Sequence, residues 1–487
     1  MVSEVGKKAS VVEGRARWAA LVVLCFAQFM LTVDDTIVNI ALPSIRSGLG
    51  FTVSGLAWVA DGYWLMFGGF LLLGGRMADL LGKRRLFLAG VIVFATASLA
   101  DGLAQAPATL VVARGIQGLG AAMVSPAALA LITVTFPKPG ERARALGVWG
   151  GIAGAGGAIG VVLGGTITTL LSWRWIFLIN VPIGVAVLAA LPLVVPADRP
   201  GRRAGFDVAG AVSVTAGLLA LVYAMLGTSR SDLSAPVVAA LLAAGVALLV
   251  VFVRNELRSP SPLVPLSFFR ERVTCVADVL ALVTPSAFAG MFFLLTLSLQ
   301  TLNGYSPLRT GVAYLPLIAA MFVAVPLASG ALVPRVGVGP VLTAGLAMMA
   351  IGLLTLVRLP AEVAYWRDVL PALILVGFGA GWAFIPLTIA AVARALPEQA
   401  GLASGVVSAA MQVGGAVALA VYVLVATHRT QAALRTGVGG ASASVSGDHL
   451  AFLVGAAIAG AGALVAAVGL RGVQPQDAAR SSMAVRP

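Results

Sequence analysis

Along the chain, long apolar stretches alternate with short polar ones, and the apolar stretches exceed what the core helices of a soluble domain need. About 20 largely apolar residues carry a helix across the hydrocarbon of a bilayer. On that measure the pattern predicts membrane-crossing helices near 18–41, 55–75, 86–105, 108–134, 144–171 and 175–195. Two more follow near 208–228 and 236–253, and a last six near 274–300, 310–333, 340–357, 369–392, 401–427 and 450–470. The longest polar connections, Pro196 to Asp207 and Arg254 to Arg272, bracket the seventh and eighth spans. The expected organisation is therefore a tail at 1–17, a six-helix bundle at 18–195, a linker with two extra helices at 196–272, a second six-helix bundle at 273–470 and a tail at 471–487. Two six-helix halves suggest internal repeats with a substrate site near the midplane between them. The halves resemble each other weakly: GGRMADLLGKRR after the second span has SGALVPRVGVGP as its counterpart after the tenth.

Composition changes little in this picture and excludes much else. With 60% hydrophobic and 10% charged residues and a mean hydropathy of +1.01, the chain is expected to be an all-α integral membrane protein. The segment after Arg17 is too long for a signal-peptide core, lacks a small-residue cleavage site and leads into further spans, so it is the first helix. The formal charge of +13 comes from cations flanking helices, and no nucleic-acid partner is implied. Lys and Arg concentrate in alternate loops, as with Lys83, Arg84 and Arg85 after the second span and Lys138, Arg142 and Arg144 after the fourth. That bias places both termini in the cytoplasm, in a multi-pass protein of the cell inner membrane. Cys25 and Cys275 lack disulfide or metal spacing, His428 and His449 lack a third nearby ligand, and no Ser/His/Asp set shares one membrane depth. Neither an enzyme nor a metal or cofactor protein is expected. A membrane sensor would need a soluble region that the chain has no segment long enough to form.

Against this apolar background a few charges stand out. Asp34 lies well inside the first span and Asp61 inside the second, and an intramembrane carboxylate costs several kcal/mol unless paired, wetted or neutralised. Arg114 lies six residues inside the fourth span, too deep to snorkel easily. At 1.5 Å per residue all three sit roughly 9–10 Å below the outer surface, so they share one depth. Asp34 and Arg114 are expected to face one another or one cavity. Asp35 points about 100° away from Asp34, so only one of the two is central, and Asp35 shares a face with Asn39. Asp278 in the ninth span is a further candidate, with pairing to Arg272 as its structural alternative.

The connection Gly75-Arg76-Met77-Ala78-Asp79-Leu80-Leu81-Gly82-Lys83-Arg84-Arg85 resembles the cytoplasmic signature of the major facilitator superfamily. Its glycines let two helix ends approach, Asp79 can face an arginine or a helix N-terminus, expected to be that of the thirteenth span near Gln399 to Ala403, and the basic run stays at the headgroups. The Arg114 segment, LVVARGIQGLG from Leu110, resembles the fourth-helix motif of the same superfamily. In the fifth span Gly156, Gly160 and Gly164 share one face at spacings of four, and that run resembles the antiporter signature of its drug exporters. Val161 stands where that signature has proline, and the glycine face alone would serve close packing in any bundle. LTVDDTIVNIALP (Leu31 to Pro43), WVADGY around Asp61, SWRWIFLINVPIG (Ser172 to Gly184) and GYSPLRTG (Gly304 to Gly311) extend the likeness over nearly the whole chain, to the fourteen-helix drug:proton antiporters.

That resemblance implies a major facilitator fold of fourteen transmembrane helices, two six-helix bundles plus a two-helix insertion. It implies a proton-coupled antiporter that exports hydrophobic, cationic drugs or antibiotics by alternating access. Asp34 would couple protons or bind the cation, Asp61 would resemble an acid of cation exporters, and the Asp79 motif would gate. The partners would be the drug, protons and the lipid bilayer, with a monomer sufficing and the proton gradient in place of a cofactor. The alternative is a dedicated self-resistance exporter of a neutral or anionic metabolite, with Asp61 structural.

Overall fold

A computed structural model of the protein describes residues 2–195, 207–228, 233–259, 262–264, 269–392 and 400–471. Among these residues 14 helices are long and apolar enough to cross a membrane. They are α1 (Ala16–Leu49), α2 (Val53–Leu81), α3 (Lys83–Gly102), α4 (Pro107–Thr135), α5 (Gly140–Leu170), α6 (Trp175–Val194) and α7 (Val208–Gly227). The second seven are α8 (Ala235–Arg258), α9 (Arg272–Leu302), α10 (Pro307–Val336), α11 (Val338–Leu356), α12 (Tyr365–Ala391), α13 (Gly401–Arg435) and α14 (Gly440–Gly469). Several run past the apolar stretch that predicts them, α13 by eight residues at its end. A helix keeps its backbone bonds beyond the hydrocarbon, where polar side chains can continue it.

Single glycines make the tightest connections. Gly82 (φ 99°) alone separates α2 from α3, and Gly337 (φ 88°) alone separates α10 from α11. That left-handed backbone is open to glycine and strained for other residues. The two positions are counterparts in the aligned connections of the halves, so the weak repeat in the sequence reappears as one shared turn. Four of these helices are interrupted, α12 among them at Val369, between Tyr365–Asp368 and Leu370–Val392. α6 is interrupted at Ile179, between Trp175–Leu178 and Asn180–Val194. α9 breaks before Pro285 and ends in a π turn, Ser298–Leu302. α10 passes from Pro326 into a π turn at Ala328–Leu332. Proline removes a helical donor and π turns shift the ladder, which exposes backbone and re-aims side chains.

In the first half α4 packs on α2 and α3, and α1 on α5; in the second, α11 packs on α12 and α14, and α13 on α14 and α9. The halves meet along α2 with α13, α5 with α10 and α1 with α9. At the end away from the basic loops, Gln300 Nε2 on α9 donates to the Ile40 carbonyl on α1 at 2.9 Å, and the Leu308 N–H on α10 donates to Thr169 on α5 at 3.1 Å. Towards the basic end Leu73 and Met77 on α2 gather with Leu402 and Val406 on α13. The pair α7 and α8 pack on each other, and α7 also lies on α2 and α13. Trp58 of α2 meets Tyr223 of α7 at 6.0 Å between ring centroids. Large apolar side chains such as Leu170, Leu193 and Leu464 are exposed on the periphery, as lipid-facing positions require.

Candidate functional site

The glycines of α5 set the rotation of α1. Gly156 faces Thr32, Gly160 faces Val33 and Thr36, and a Cβ on Gly164 would lie 2.7 Å from the Ile37 carbonyl oxygen. With that stripe against α5, the residues between point elsewhere, because successive side chains step about 100° around a helix. Asp34 turns into the first half, and Asp35 turns towards α2 and the space between halves.

Asp34 is buried and fully engaged. Its Oδ2 accepts from Arg114 Nη1 at 2.6 Å, and its Oδ1 accepts from Gln117 Nε2 at 2.8 Å and Asn180 Nδ2 at 2.7 Å. Arg114 also donates through Nε to the Val59 carbonyl at 2.8 Å and lies over the Tyr63 ring, 4.4 Å from its centroid. Ser98 Oγ accepts from Gln117 and Asn180 and donates to the Phe177 carbonyl. The break in α6 delivers Asn180 to this network. A charge pair this deep is tolerable because excellent geometry and extra hydrogen bonds offset the loss of water. Among the predicted site residues, then, Asp34 and Arg114 meet directly.

Asp35 serves a different space. Its Oδ1 accepts from Trp64 Nε1, while Asn39 donates to its backbone carbonyl, so the partner of the carboxylate comes from α2 and not from Asn39. A cavity of about 140 Å³ opens beside it, lined by Gln28, Leu31, Thr32 and Asp35 of α1, Tyr63 and Phe67 of α2, Ser125 of α4 and Gln412 of α13. Both halves contribute to that lining. Drug sites typically enclose roughly 300–1,000 Å³, so the space must widen to take cargo of that size.

Asp61 is buried on the face of α2 that carries Trp64 and Gly68, the face turned to Gln412 and Gly415 of α13. Neither of its carboxylate oxygens has a hydrogen-bond partner among the described residues. Asp278 is likewise buried and without a hydrogen-bond partner, and Arg272 bonds the Val468 carbonyl instead. Asp61 and Asp278 therefore stand apart from the Asp34 network. In the basic motif Gly75 approaches Pro126 of α4, and Gly82 makes the left-handed turn. Asp79 is 67% exposed and pairs with Lys83 at 3.4 Å, one turn on; Arg84 is half-buried beside them. The expected approach of Asp79 to the α13 N-terminus near Gln399 to Ala403 falls partly on residues 393–399, outside the described ones.

Five residues complete the site without having been singled out by sequence. Gln117 follows Arg114 by one turn, and Asn180 and Trp64 sit in the quoted segments SWRWIFLIN and WVADGY extended. Ser98 and Asp101 lie in the third span, where Asp101 is an acid in an apolar window, the same signal that marks Asp34. Asp101 is buried with both oxygens unpartnered among the described residues.

The sequence matches the model of the Major Facilitator Superfamily over residues 24–419. It is 40% identical to the puromycin resistance protein pur8 of Streptomyces alboniger over 91% of this chain and 88% of that protein. It is 38% identical to the cephamycin export protein CmcT of Amycolatopsis lactamdurans over 83% of this chain and 84% of that one. The crystal structure of the POT family transporter PepTSo superposes with a TM-score of 0.68, at 15% identity, over 97% of this chain and 99% of that one, a likeness of fold. On the length of that family match and these relatives, the chain belongs to the Major Facilitator Superfamily of membrane transporters and is not an enzyme.

Proposed function

We propose that the protein is a proton-coupled antiporter that exports hydrophobic, cationic drugs or antibiotics, with the basic loops and both termini in the cytoplasm. The observation that carries this reading is the pair of neighbouring acids with separate settings. Asp34 is neutralised inside the first half by Arg114, and Asp35 lines a cavity shared by both halves. Asp35 would hold the cation of the cargo against the Trp64, Tyr63 and Phe67 rings, which also favour a cation. Asp34 would exchange its bond to Arg114 for a proton, and the change would bias which side of the cavity is open. Asp61, buried between the halves on α2, would add a second charge for recognition, and Asp278 a further acid on α9. The Asp79, Lys83 and Arg84 motif would close the cytoplasmic side. One chain, with both halves, would suffice.

Export of drugs or antibiotics accords with relatives named for puromycin resistance and cephamycin export. Those names also support a second reading, a dedicated self-resistance exporter whose cargo is neutral or anionic. Efflux from vesicles under an imposed proton gradient, screened across cationic, neutral and anionic compounds, separates the two. Gradient-driven export confined to anionic or neutral compounds would sink the first reading, and no gradient dependence for any compound would sink antiport.

A further inference from the structure

The Asp34 network leaves one acid over. Asp101 lies in the last turn of α3, three residues beyond Ser98 and on the same helix face, and Ser98 is a member of the network. It is 0% exposed, and neither carboxylate oxygen meets a donor among the described residues. The fields of Arg114 from α4 and Asp34 from α1 act on it. From the α6 end, Arg174 donates through its guanidinium to the Ala104 carbonyl at 2.9 Å and stacks over Trp173. Tyr63 of α2 lies under Arg114. Arg114 gives its Nε hydrogen to the Val59 carbonyl and its Nη1 hydrogens to Asp34 and Gln117, and it makes no hydrogen bond to Asp101.

Charge counting then decides what Asp101 does. Inside the first half one buried cation, Arg114, stands against two buried acids, Asp34 and Asp101, with Asp35 turned away to the cavity, so with both buried acids ionised this set carries a net negative charge in a medium that penalises it by several kcal/mol. The neutral form of the set holds one proton. Asp34 accepts three hydrogen bonds that an ionised carboxylate uses best, whereas Asp101 accepts none. We propose that Asp101 is a second proton-holding carboxyl of the carrier, on the external side of the Asp34–Arg114 pair. The inference rests on the antiport reading and its orientation: α3 begins at the basic loop with Lys83 and ends beyond Asp101, so this acid is the member of the set nearest the outside. A proton taken up from outside becomes the acid hydrogen of Asp101. Its transfer to Asp34 leaves Asp101 ionised and Asp34 neutral, and Arg114 is then free to turn from one carboxylate to the other.

The test uses the full chain in lipid as wild type, Asp101→Asn and Asp101→Glu. Infrared difference spectra between acid and alkaline pH read the carboxylic C=O stretch directly. The expected result is a titrating band in the wild type that is lost in Asp101→Asn and returns at a shifted frequency in Asp101→Glu. Wild-type and Asp101→Asn spectra that coincide would overturn the inference; should the asparagine variant fail to fold, an unshifted band in Asp101→Glu overturns it equally. Ethidium efflux gives the second arm. Gradient-driven efflux at least tenfold lower in Asp101→Asn, with downhill efflux kept, supports coupling through this residue, and equal gradient-driven efflux contradicts it. Ethidium efflux in the wild type that ignores the gradient counts against the antiport reading and leaves the infrared result to decide Asp101.

Discussion

Arg114 on α4 and Asp34 on α1 meet at 2.6 Å with both side chains buried, 80 residues apart in sequence. Removing one partner of such a pair strands an uncompensated charge, at about 3–5 kcal/mol. Arg114→Gln is therefore expected to lower the melting temperature of the solubilised protein more than Asp34→Asn/Arg114→Gln does, while both lose gradient-driven export. A double variant no more stable than Arg114→Gln would remove the pair from the account.

Asp35→Asn is expected to leave folding intact, because its carboxylate has one side-chain partner, Trp64, and a cavity beside it. Binding of a cationic dye should weaken at least tenfold, with a neutral cargo little changed. Equal loss for both cargoes would assign Asp35 a structural part.

Asp61→Asn is expected to weaken efflux of a divalent cationic dye more than of a matched monovalent one, since a divalent cation gains more from a second buried carboxylate. If Asp61 only orients helices, both dyes suffer alike. Efflux rates of the two dyes decide between these outcomes.

Gly164→Ala should destabilise the protein by about 1–3 kcal/mol and impair transport, because backbone of α1 occupies the place of the new methyl. Gly150→Ala on the same helix is expected to be neutral, since nothing lies within 4 Å of its Cβ position. Thermal melts of the two variants in one detergent make the comparison.

Asp79→Asn is expected to slow turnover with little change in stability. The exposed Asp79–Lys83 pair is worth about 0–1 kcal/mol at most, so a large loss of melting temperature would point to a buried role instead.

The fourteen spans were legible because bilayer thickness writes itself directly into the length of apolar runs. The ion pair was legible too, because depth along a helix can be counted from its ends, and Asp34 and Arg114 come out level. What depth cannot give is rotation. Whether Asp34 or Asp35 faces the cavity depends on which side of α1 meets α5, and the answer lay in pairing the Gly156, Gly160 and Gly164 face with Thr32, Val33 and Ile37. Asn180 was hidden for another reason. Its position depends on a helix break at Ile179; Pro182, which leaves the Leu178 carbonyl without its helical donor, marks the break but not which side chain the break delivers. Asp101 carried the same signal as Asp34, an acid within an apolar run, but it sits near the outer end of its predicted span, where an acid at headgroup level is ordinary.

Because α7 lies on both α2 and α13, the two lateral seams of the molecule are unequal. Among the described residues the inserted hairpin lies on the α2–α13 seam and not on the α5–α10 seam, so a lipophilic molecule dissolved in a leaflet would meet a different surface on each flank. The two added helices thereby give the carrier a handedness in the plane of the membrane.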